Sequence, residues 1–369
     1  MSGSIIPDKL PVASINSFRK SVLAWYDQNR RTLPWRALPG QKPNPYHVWL
    51  SEVMLQQTVV ATVVPYFQSF VRLWPTVHHL AQAPQDDVLK AWAGLGYYAR
   101  ARNLHKASHM ISTELGGVFP QAEQALKSIP GIGDYTAAAI LSIAFDQPAV
   151  VVDGNVERVV SRYFAITEPL PKGKILIRKA AALLAQGRID RPADYAQALM
   201  DLGAAICVPK NPRCSACPVS RTCQARKQGH AASFPVRATK KAKPFKSGAI
   251  YLIKSRDNCR ILLEKRPEEG LFGGMSGFLT SEWGDQGHFE HPERILSLGM
   301  PQKMRGALIK HSFTHFDLEL QGYELIALRK PSGTSFWVNK NDILESGLPS
   351  LFQKFARFIV DNKRYGALL

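Results

Sequence analysis

Cysteine is scarce in this chain, and its placement excludes a disulfide framework. Five occur in 369 residues, and four of them, Cys207, Cys214, Cys217 and Cys223, share one short stretch. No dispersed pairs are left to staple a fold of this size. Long apolar runs are missing as well, so no membrane-spanning segment is expected. Met1–Ser14 lacks both the apolar core of a signal peptide and the Arg-rich, acid-poor helix of a transit peptide. A cytoplasmic location, in or near a bacterial nucleoid, is therefore expected, and its reducing conditions suit free thiols. Repeats and coiled-coil heptads are lacking, so a monomer is expected. Acidic residues are few, 29 against 47 Lys and Arg, which leaves a net charge of +18. Neutralising phosphates with release of counterions is the commonest use of such an excess. Charge alone does not decide, since ribosomal proteins, membrane-surface proteins and plain basic enzymes share it.

The four clustered cysteines are spaced C-x6-C-x2-C-x5-C. So compact a set of thiolates points to a metal centre. Zinc held by four cysteines usually shows two C-x2-C pairs, whereas one pair with longer arms suits a [4Fe-4S] cluster, whose irons need separated ligands. Reduced structural thiols fit less well, because Pro209, Pro212 and Pro218 make the segment loop-like with little apolar sequence to bury them.

Length allows two domains with separate cores. Helix-compatible apolar spacing runs through Ser14–Arg30, Pro45–Val59, Asp86–Ala93, Tyr98–Leu115, Tyr135–Phe145, Val156–Tyr163, Ile175–Ala185 and Ala193–Ile206. The expected first domain is thus helical, over residues 1–230. Residues 231–248 are polar and basic, with Pro235, Pro244, Arg237, Lys240, Lys241, Lys243 and Lys246, and read as a linker. Residues 249–369 read as a separate α+β domain, with strand-like alternation in Ala249–Lys254 and Arg260–Arg266 around the turn Asp257-Asn258. Cys259 at the edge of that hairpin is expected to be half-buried and not a ligand.

Three places carry chemistry. Ser128-Ile129-Pro130-Gly131-Ile132-Gly133-Asp134 lies between two helical patterns and turns sharply at Gly131 and Gly133 before opening a helix. Exposed backbone N–H groups and a helix start can grip a phosphate there, in the manner of a helix-hairpin-helix over about residues 121–146. A plain turn has the same residues, and the charge of +18 favours the phosphate reading. Next, the apolar run Pro148–Val152 delivers Asp153 to the start of a helix, where N–H donors stabilise a carboxylate; an ordinary helix cap is the alternative. Third, Glu52 shares a helix face with Val48, Leu55 and Val59, where desolvation favours the protonated carboxyl; a structural salt bridge is the alternative. A protonated carboxyl beside an ionised one is what glycosidic bond cleavage requires.

Leu33-Pro34-Trp35-Arg36, Trp49-Leu50-Ser51-Glu52-Val53-Met54-Leu55-Gln56-Gln57-Thr58, Gly94-Leu95-Gly96-Tyr97-Tyr98, Pro130-Gly131-Ile132-Gly133, Val152-Asp153-Gly154-Asn155-Val156 and the cysteine loop occur in this order. Together they resemble the MutY family of adenine DNA glycosylases in the endonuclease III superfamily, over nearly the whole chain. The resemblance implies an all-α helix-hairpin-helix glycosylase domain with a [4Fe-4S] loop, followed by an α+β Nudix-like domain. It implies removal of adenine mispaired with 8-oxoguanine or guanine in double-stranded DNA. In that role Glu52 protonates adenine N7, Asp153 stabilises the oxocarbenium-like sugar, and Tyr135 and Asn155 assist nearby. Trp35, Arg36 and Gln197 surround the extruded base. Gln57, Thr58, Leu95 and Tyr97 lie at the lesion, Gln57 and Tyr97 as wedges. Gly131 and Gly133 contact phosphate, and Cys207, Cys214, Cys217 and Cys223 hold the cluster. Apart from the resemblance, the cluster is expected mainly to order a loop whose Arg213 and Arg221 meet phosphates, without need of redox chemistry.

Departures from relatives refine this expectation. Where bifunctional endonuclease III enzymes carry a Schiff-base Lys, two residues after the last hairpin Gly, this chain has Tyr135, which implies a monofunctional enzyme leaving an abasic site. Glu157 stands where some relatives carry a second Lys. Phe313-Thr314-His315 corresponds to a Phe-Ser-His loop for 8-oxoguanine recognition; Thr keeps the hydroxyl and adds a methyl. Met275–Glu293 does not set its carboxylates in the G-x5-E-x7-R-E-x2-E-E array of a Nudix hydrolase helix, so nucleotide hydrolysis is not expected. An iron–sulfur DNA-binding protein without catalysis, and a nucleotide pyrophosphatase on a DNA-binding scaffold, are the alternatives in other functional classes.

Overall fold

The computed structural model describes residues 8–186, 190–239, 242–267, 270–285, 289–329 and 333–362. Lys240 and Lys241 of the expected linker and Met1–Pro7 lie outside them. Helices come first: α1 (Val12–Asn29), α2 (Pro45–Leu55), α3 (Val60–Leu73), α4 (Val77–Gln82), α5 (Gln85–Trp92), α6 (Ala99–Thr113), α7 (Glu123–Lys127), α8 (Asp134–Ala139), α9 (Gly154–Tyr163), α10 (Lys174–Ala185), α11 (Pro192–Ala205) and α12 (Gln224–Lys227). Strands follow as β1 (Phe245–Lys254), β2 (Arg260–Lys265) and β3 (Ser276–Gly277). Then come the short helix α13 (Glu293–Leu296), strands β4 (Gln302–Ser312), β5 (Asp317–Ile326) and β6 (Ser335–Asn339), and α14 (Ser350–Asp361).

The chain forms two compact units. One comprises Met1–Gln82 and Lys106–Lys240, the other Ala83–His105 and Lys241–Leu369. In the helical unit α1, α9, α10 and α11 enclose a core of Phe18, Val22, Tyr26, Val159, Val160, Ala180, Leu184, Ala198, Leu199 and Leu202. Small residues allow α9 and α11 to approach closely. At Gly203 a Cβ would stand 2.5 Å from the Asn155 Cβ, so the glycine lets the start of α9 rest on α11.

Two helical expectations are corrected. The helix begun at Pro45 ends at Leu55, not Val59, because Gln56 leaves the helical conformation (ψ 119°) and Gln57 takes a left-handed backbone (φ 60°) that a right-handed helix cannot include. Val59 is therefore off the Glu52 face and 67% exposed. Helix α3 starts just beyond it. Its valine-rich run with Pro65 inside does not read as helix, and the burial of Val63, Phe67 and Phe70 overrides that weak propensity. The helix from Tyr135 is regular only to Ala139 and continues to Ala144 as a π-helix.

The second unit holds a mixed six-stranded sheet, ordered β3-β2-β1-β5-β4 with β6 also on β2. Strand β1 runs parallel to β5, and the other pairings are antiparallel. The apolar run Ala249–Ile253 is buried on both faces, as a central strand flanked by two layers requires. Ile250 and Leu252 face α14 through Phe352 and Phe355, whereas Ala249, Tyr251 and Ile253 pack with Ile295 and Leu298. Strand β1 begins at Phe245, so Phe245–Gly248 of the expected linker are strand residues. Cys259 is exposed, not half-buried, because the Asp257–Asn258 turn places it at the hairpin tip, where its N–H donates to Asp257 Oδ1 at 3.0 Å.

Candidate functional site

Helix α2 opens with Asn44 as cap, whose side-chain oxygen accepts from the Tyr46 N–H at 2.9 Å, and with Pro45 in the first turn. Tyr46 and Val48 through Met54 are all buried, so this helix passes through the protein interior and carries Glu52 with it. Glu52 is 6% exposed. Burial pushes its carboxyl up to about 7; Tyr135 as hydrogen-bond donor works against the rise, the Asp153 charge adds to it, and Arg36 opposes it. The Tyr135 hydroxyl donates to Glu52 Oε2 at 2.6 Å from the first turn of α8. Burial, and then the two carboxylates, push the Tyr135 hydroxyl itself well above the usual phenol range, so it stays a donor.

Asp153 caps α9. Its Oδ1 accepts from the N–H groups of Asn155 (3.0 Å) and Val156 (2.7 Å), and its Oδ2 accepts from Asn155 Nδ2 (2.8 Å). Asn155 is held in turn by Arg158, whose guanidinium donates to Asn155 Oδ1 at 2.9 Å and to the carbonyls of Gly203 and Cys207 at 2.7 and 2.6 Å. Glu52, Tyr135 and Asp153 thus converge, one carboxyl dry and one surrounded by N–H donors. Trp35 and Arg36 lie on the loop between α1 and α2; Trp35 is 7% exposed, edge-on to Phe67. Gln197, also 7% exposed, sits on α11.

The hairpin joins α7 to α8. Gly131 adopts φ 80°, which favours glycine, while Lys127 spans the turn to Asp134 at 2.6 Å. Gly131 and Gly133 are exposed. Gln57 is exposed in the left-handed conformation noted above, and Thr58 follows it, half-buried.

In the second unit Tyr97 repeats that pattern, with φ 48° and half its surface exposed. Its hydroxyl pairs with Thr314 Oγ1 at 3.0 Å. Leu95, by contrast, is 5% exposed, so its side chain is packed inside. Phe313-Thr314-His315 form the turn between β4 and β5, closed by the Phe313 N–H donating to the Phe316 carbonyl at 2.9 Å. Thr314 and His315 are exposed, and Phe313 stacks on Trp283. Between Met275 and the start of α13, the described residues contain no helix that could present metal-binding carboxylates.

The four clustered cysteines are half-buried in the helical unit. Burial pushes the Cys217 thiol up to about 11, and the neighbouring Cys207, Cys223 and Cys214 each add to the rise, which places all four within electrostatic reach. No three His, Cys, Asp or Glu side chains among the described residues converge tightly enough to hold one metal ion. Four thiols on one loop are the soft donors that an iron–sulfur cluster takes. Arg162, 2% exposed, threads the loop, donating to the carbonyls of Val208 (2.7 Å), Pro209 (2.8 Å) and Phe234 (3.0 Å) and to Cys207 Sγ (3.4 Å). Arg213 and Arg221 are exposed.

Sequence reasoning missed Arg158, Gly203 and the fully buried Asp201, which accepts from both Arg31 and Arg36. Asp201 could have been suspected, because an aspartate in the run Ala196–Leu202, otherwise apolar but for Gln197, needs a cationic partner. Arg158 and Gly203 leave no such trace.

Residues 50–186 match the model of the HhH-GPD superfamily of base excision DNA repair proteins, and residues 249–357 match that of the NUDIX domain. A human protein named adenine DNA glycosylase is 36% identical, the match covering 85% of this chain and 68% of that protein. The protein of the same name from Buchnera aphidicola subsp. Baizongia pistaciae is 33% identical, over 90% of this chain and 94% of its own length. The solved structure of a thermostable thymine-DNA glycosylase superposes with a TM-score of 0.52 at 27% identity, over 58% of this chain and 98% of that one. No helix among the described residues is long and apolar enough to cross a membrane. Relatives matched along most of both chains, through the helical unit and the sheet alike, establish that this chain belongs to the adenine DNA glycosylase family.

Proposed function

We propose that this chain is a monofunctional adenine DNA glycosylase of base excision repair, removing adenine opposite 8-oxoguanine or guanine from duplex DNA. The observation that carries this reading is the buried Glu52 carboxyl, pushed up to about 7 and facing an Asp153 carboxylate held by three N–H donors. A general acid works best when its proton affinity lies near the working pH, and an oxocarbenium ion needs a fixed anion. Adenine leaves the stack, since neither carboxyl reaches its target inside a duplex, and is received among Trp35, Arg36 and Gln197. The Glu52 proton passes to adenine N7. The bond between N9 and the anomeric carbon breaks with its electron pair going to the base, and Asp153 faces the positive sugar until water adds there and loses a proton. Asn155 keeps Asp153 aimed at the sugar. Tyr135 offers no amine, so no Schiff base forms and the strand stays intact.

Gly131 and Gly133 hold a backbone phosphate, and Gln57 with Thr58 supports the gap left by the extruded base. Residues 249–369, through Phe313, Thr314 and His315, read the opposite base, and Tyr97 wedges into the duplex at the lesion. Leu95 contributes through its backbone, given its buried side chain. Cys207, Cys214, Cys217 and Cys223 hold a [4Fe-4S] cluster, which when bound orders the loop bearing Arg213 and Arg221. The enzyme works as a monomer in a reducing cytoplasm. The test is single-turnover incubation with duplexes carrying A opposite 8-oxoguanine, G or T, analysed with and without hot alkali. Alkali-dependent breaks at mispaired A, absent with A·T and with Glu52→Gln, are expected. Breaks without alkali, or intact DNA throughout, would overturn the assignment.

A further inference from the structure

The loop carrying Trp35 and Arg36 has no regular structure of its own, yet Arg36 is held rigidly by one residue of α11. Asp201 is fully buried, and both its oxygens are filled. Oδ1 accepts from Arg31 Nε at 2.5 Å and from Arg36 Nη2 at 2.9 Å. Oδ2 accepts from Arg36 Nη1 at 2.7 Å and from the Arg31 backbone N–H at 3.2 Å. The loop is clasped on itself as well: Arg30 donates to the Ala37 carbonyl at 2.9 Å, and Arg36 Nη1 reaches the Arg31 carbonyl at 3.3 Å. Asp201 lies one helical turn beyond Gln197, so the two side chains share a face of α11.

We propose that Asp201 is a positioning residue for adenine excision: its carboxylate fixes the Arg36 guanidinium beside Glu52 and balances the charge that Glu52 experiences. This inference rests on the glycosylase reading above. Two arginines on one carboxylate leave an excess positive charge, and the Arg36 side chain is only 7% exposed, so solvent does little to screen it. Glu52 is faced by Tyr135 from α8, by Asp153 at the start of α9 and by Arg36 from the loop. Tyr26 of α1, with Arg30 and Asp194, shares the field of Asp201 and Arg36. Of these groups Asp201 is the one that sets how much of the Arg36 charge reaches Glu52.

A merely structural ion pair would hold the loop without touching the chemistry. The two roles separate in the pH dependence of single-turnover adenine release by the full-chain enzyme. In Asp201→Asn the unbalanced Arg36 favours the Glu52 carboxylate, so the rate should begin to fall at a pH lower by on the order of half to one unit. At pH 5, with Glu52 still protonated in both proteins, the rate should drop at least roughly tenfold from misplacement of Arg36. Arg36→Met should move the fall the opposite way, to higher pH. Arg31→Gln, which removes the second guanidinium from Asp201 and keeps its backbone N–H contact, should also move it upward and serves if Asp201→Asn does not fold. Slower rates with the fall unmoved in Asp201→Asn and Arg31→Gln would overturn the proposal. The Glu52 titration, followed by NMR of glutamate labelled at the carboxyl carbon, should shift in the same directions without any turnover. If the wild-type chain releases no adenine, the glycosylase reading fails, while the NMR titration still decides the role of Asp201.

Discussion

Removing one hydroxyl should move the working range of the enzyme toward alkaline pH. Glu52 is buried, and its carboxyl is pushed up to about 7 by loss of water; the Tyr135 hydroxyl, donating at 2.6 Å, favours the ionised form and holds that rise in check. Tyr135→Phe deletes this donor and retains the ring. A hydrogen bond to a charged group contributes about 1.5–3 kcal/mol, roughly one to two pH units at about 1.36 kcal/mol per unit. Partial relaxation puts the expected displacement near one unit, so Glu52 should titrate at about 8 in the variant. The assay is single-turnover adenine release from pH 5.5 to 9.5 with enzyme in excess over duplex. The wild-type rate should decline above about 7 with a limiting slope of one decade per pH unit, and the variant should decline above about 8. The absolute rate of Tyr135→Phe can fall for other reasons, so the position of the decline is the readout. A decline at unchanged pH, or at lower pH, would refute the assignment of Glu52 as general acid restrained by Tyr135.

Glu52→Gln tests the same group through stability. The native carboxyl keeps its proton up to about 7, against 4.5 when unfolded, so Glu52 contributes most favourably below 4.5 and that contribution is lost as pH rises to about 7. Relative to wild type, Glu52→Gln should therefore gain about 3 kcal/mol between pH 4.5 and 8, measured by denaturant unfolding at both ends; a constant difference would contradict the burial argument. Gly133→Ala tests the hairpin: a Cβ there meets no protein atom within 4 Å, so stability should hold while DNA binding weakens and the added methyl crowds a bound phosphate. Unchanged affinity and salt dependence would remove Gly133 from the phosphate contact. Gly203→Ala forces a Cβ against Asn155 and the Asp153 it supports, and should slow single-turnover excision on the order of a hundredfold, with wild-type rates as the contrary result. Arg162→Leu leaves the carbonyls of Val208, Pro209 and Phe234 without their donor and should cost about 3–5 kcal/mol and visible-region absorbance of the bound cluster. Full absorbance and stability would mean the loop is held by other contacts.

Sequence by itself determined the elements whose signals are local. Helical spacing located α1, α5, α6, α9, α10 and α11 to within a few residues, because apolar side chains at that period must bury one face. The Asp153 cap, the Gly131 turn and the position of β2 follow from backbone preferences of neighbouring residues, and the cysteine spacing places four thiols in one loop. The turn after α2 carried a hidden local signal, since Gln56 leaves the helix and Gln57 is left-handed, yet nothing in two glutamines announces a φ of 60°. Helix α3 was illegible because its propensity argues against what its packing achieves.

Only the tertiary structure decided which groups share a site. Glu52 and Tyr135 are 83 residues apart along the chain, and Asp201 meets Arg36 across 165. Such pairings depend on how α2, α8, α9 and α11 cross, and the contact at Gly203 that permits one crossing is a matter of ångströms between backbones. Residue type sets what a carboxyl can do. How dry its surroundings are, and which cation lies beside it, decides what this one does, and those properties belong to the packed core of the helical unit.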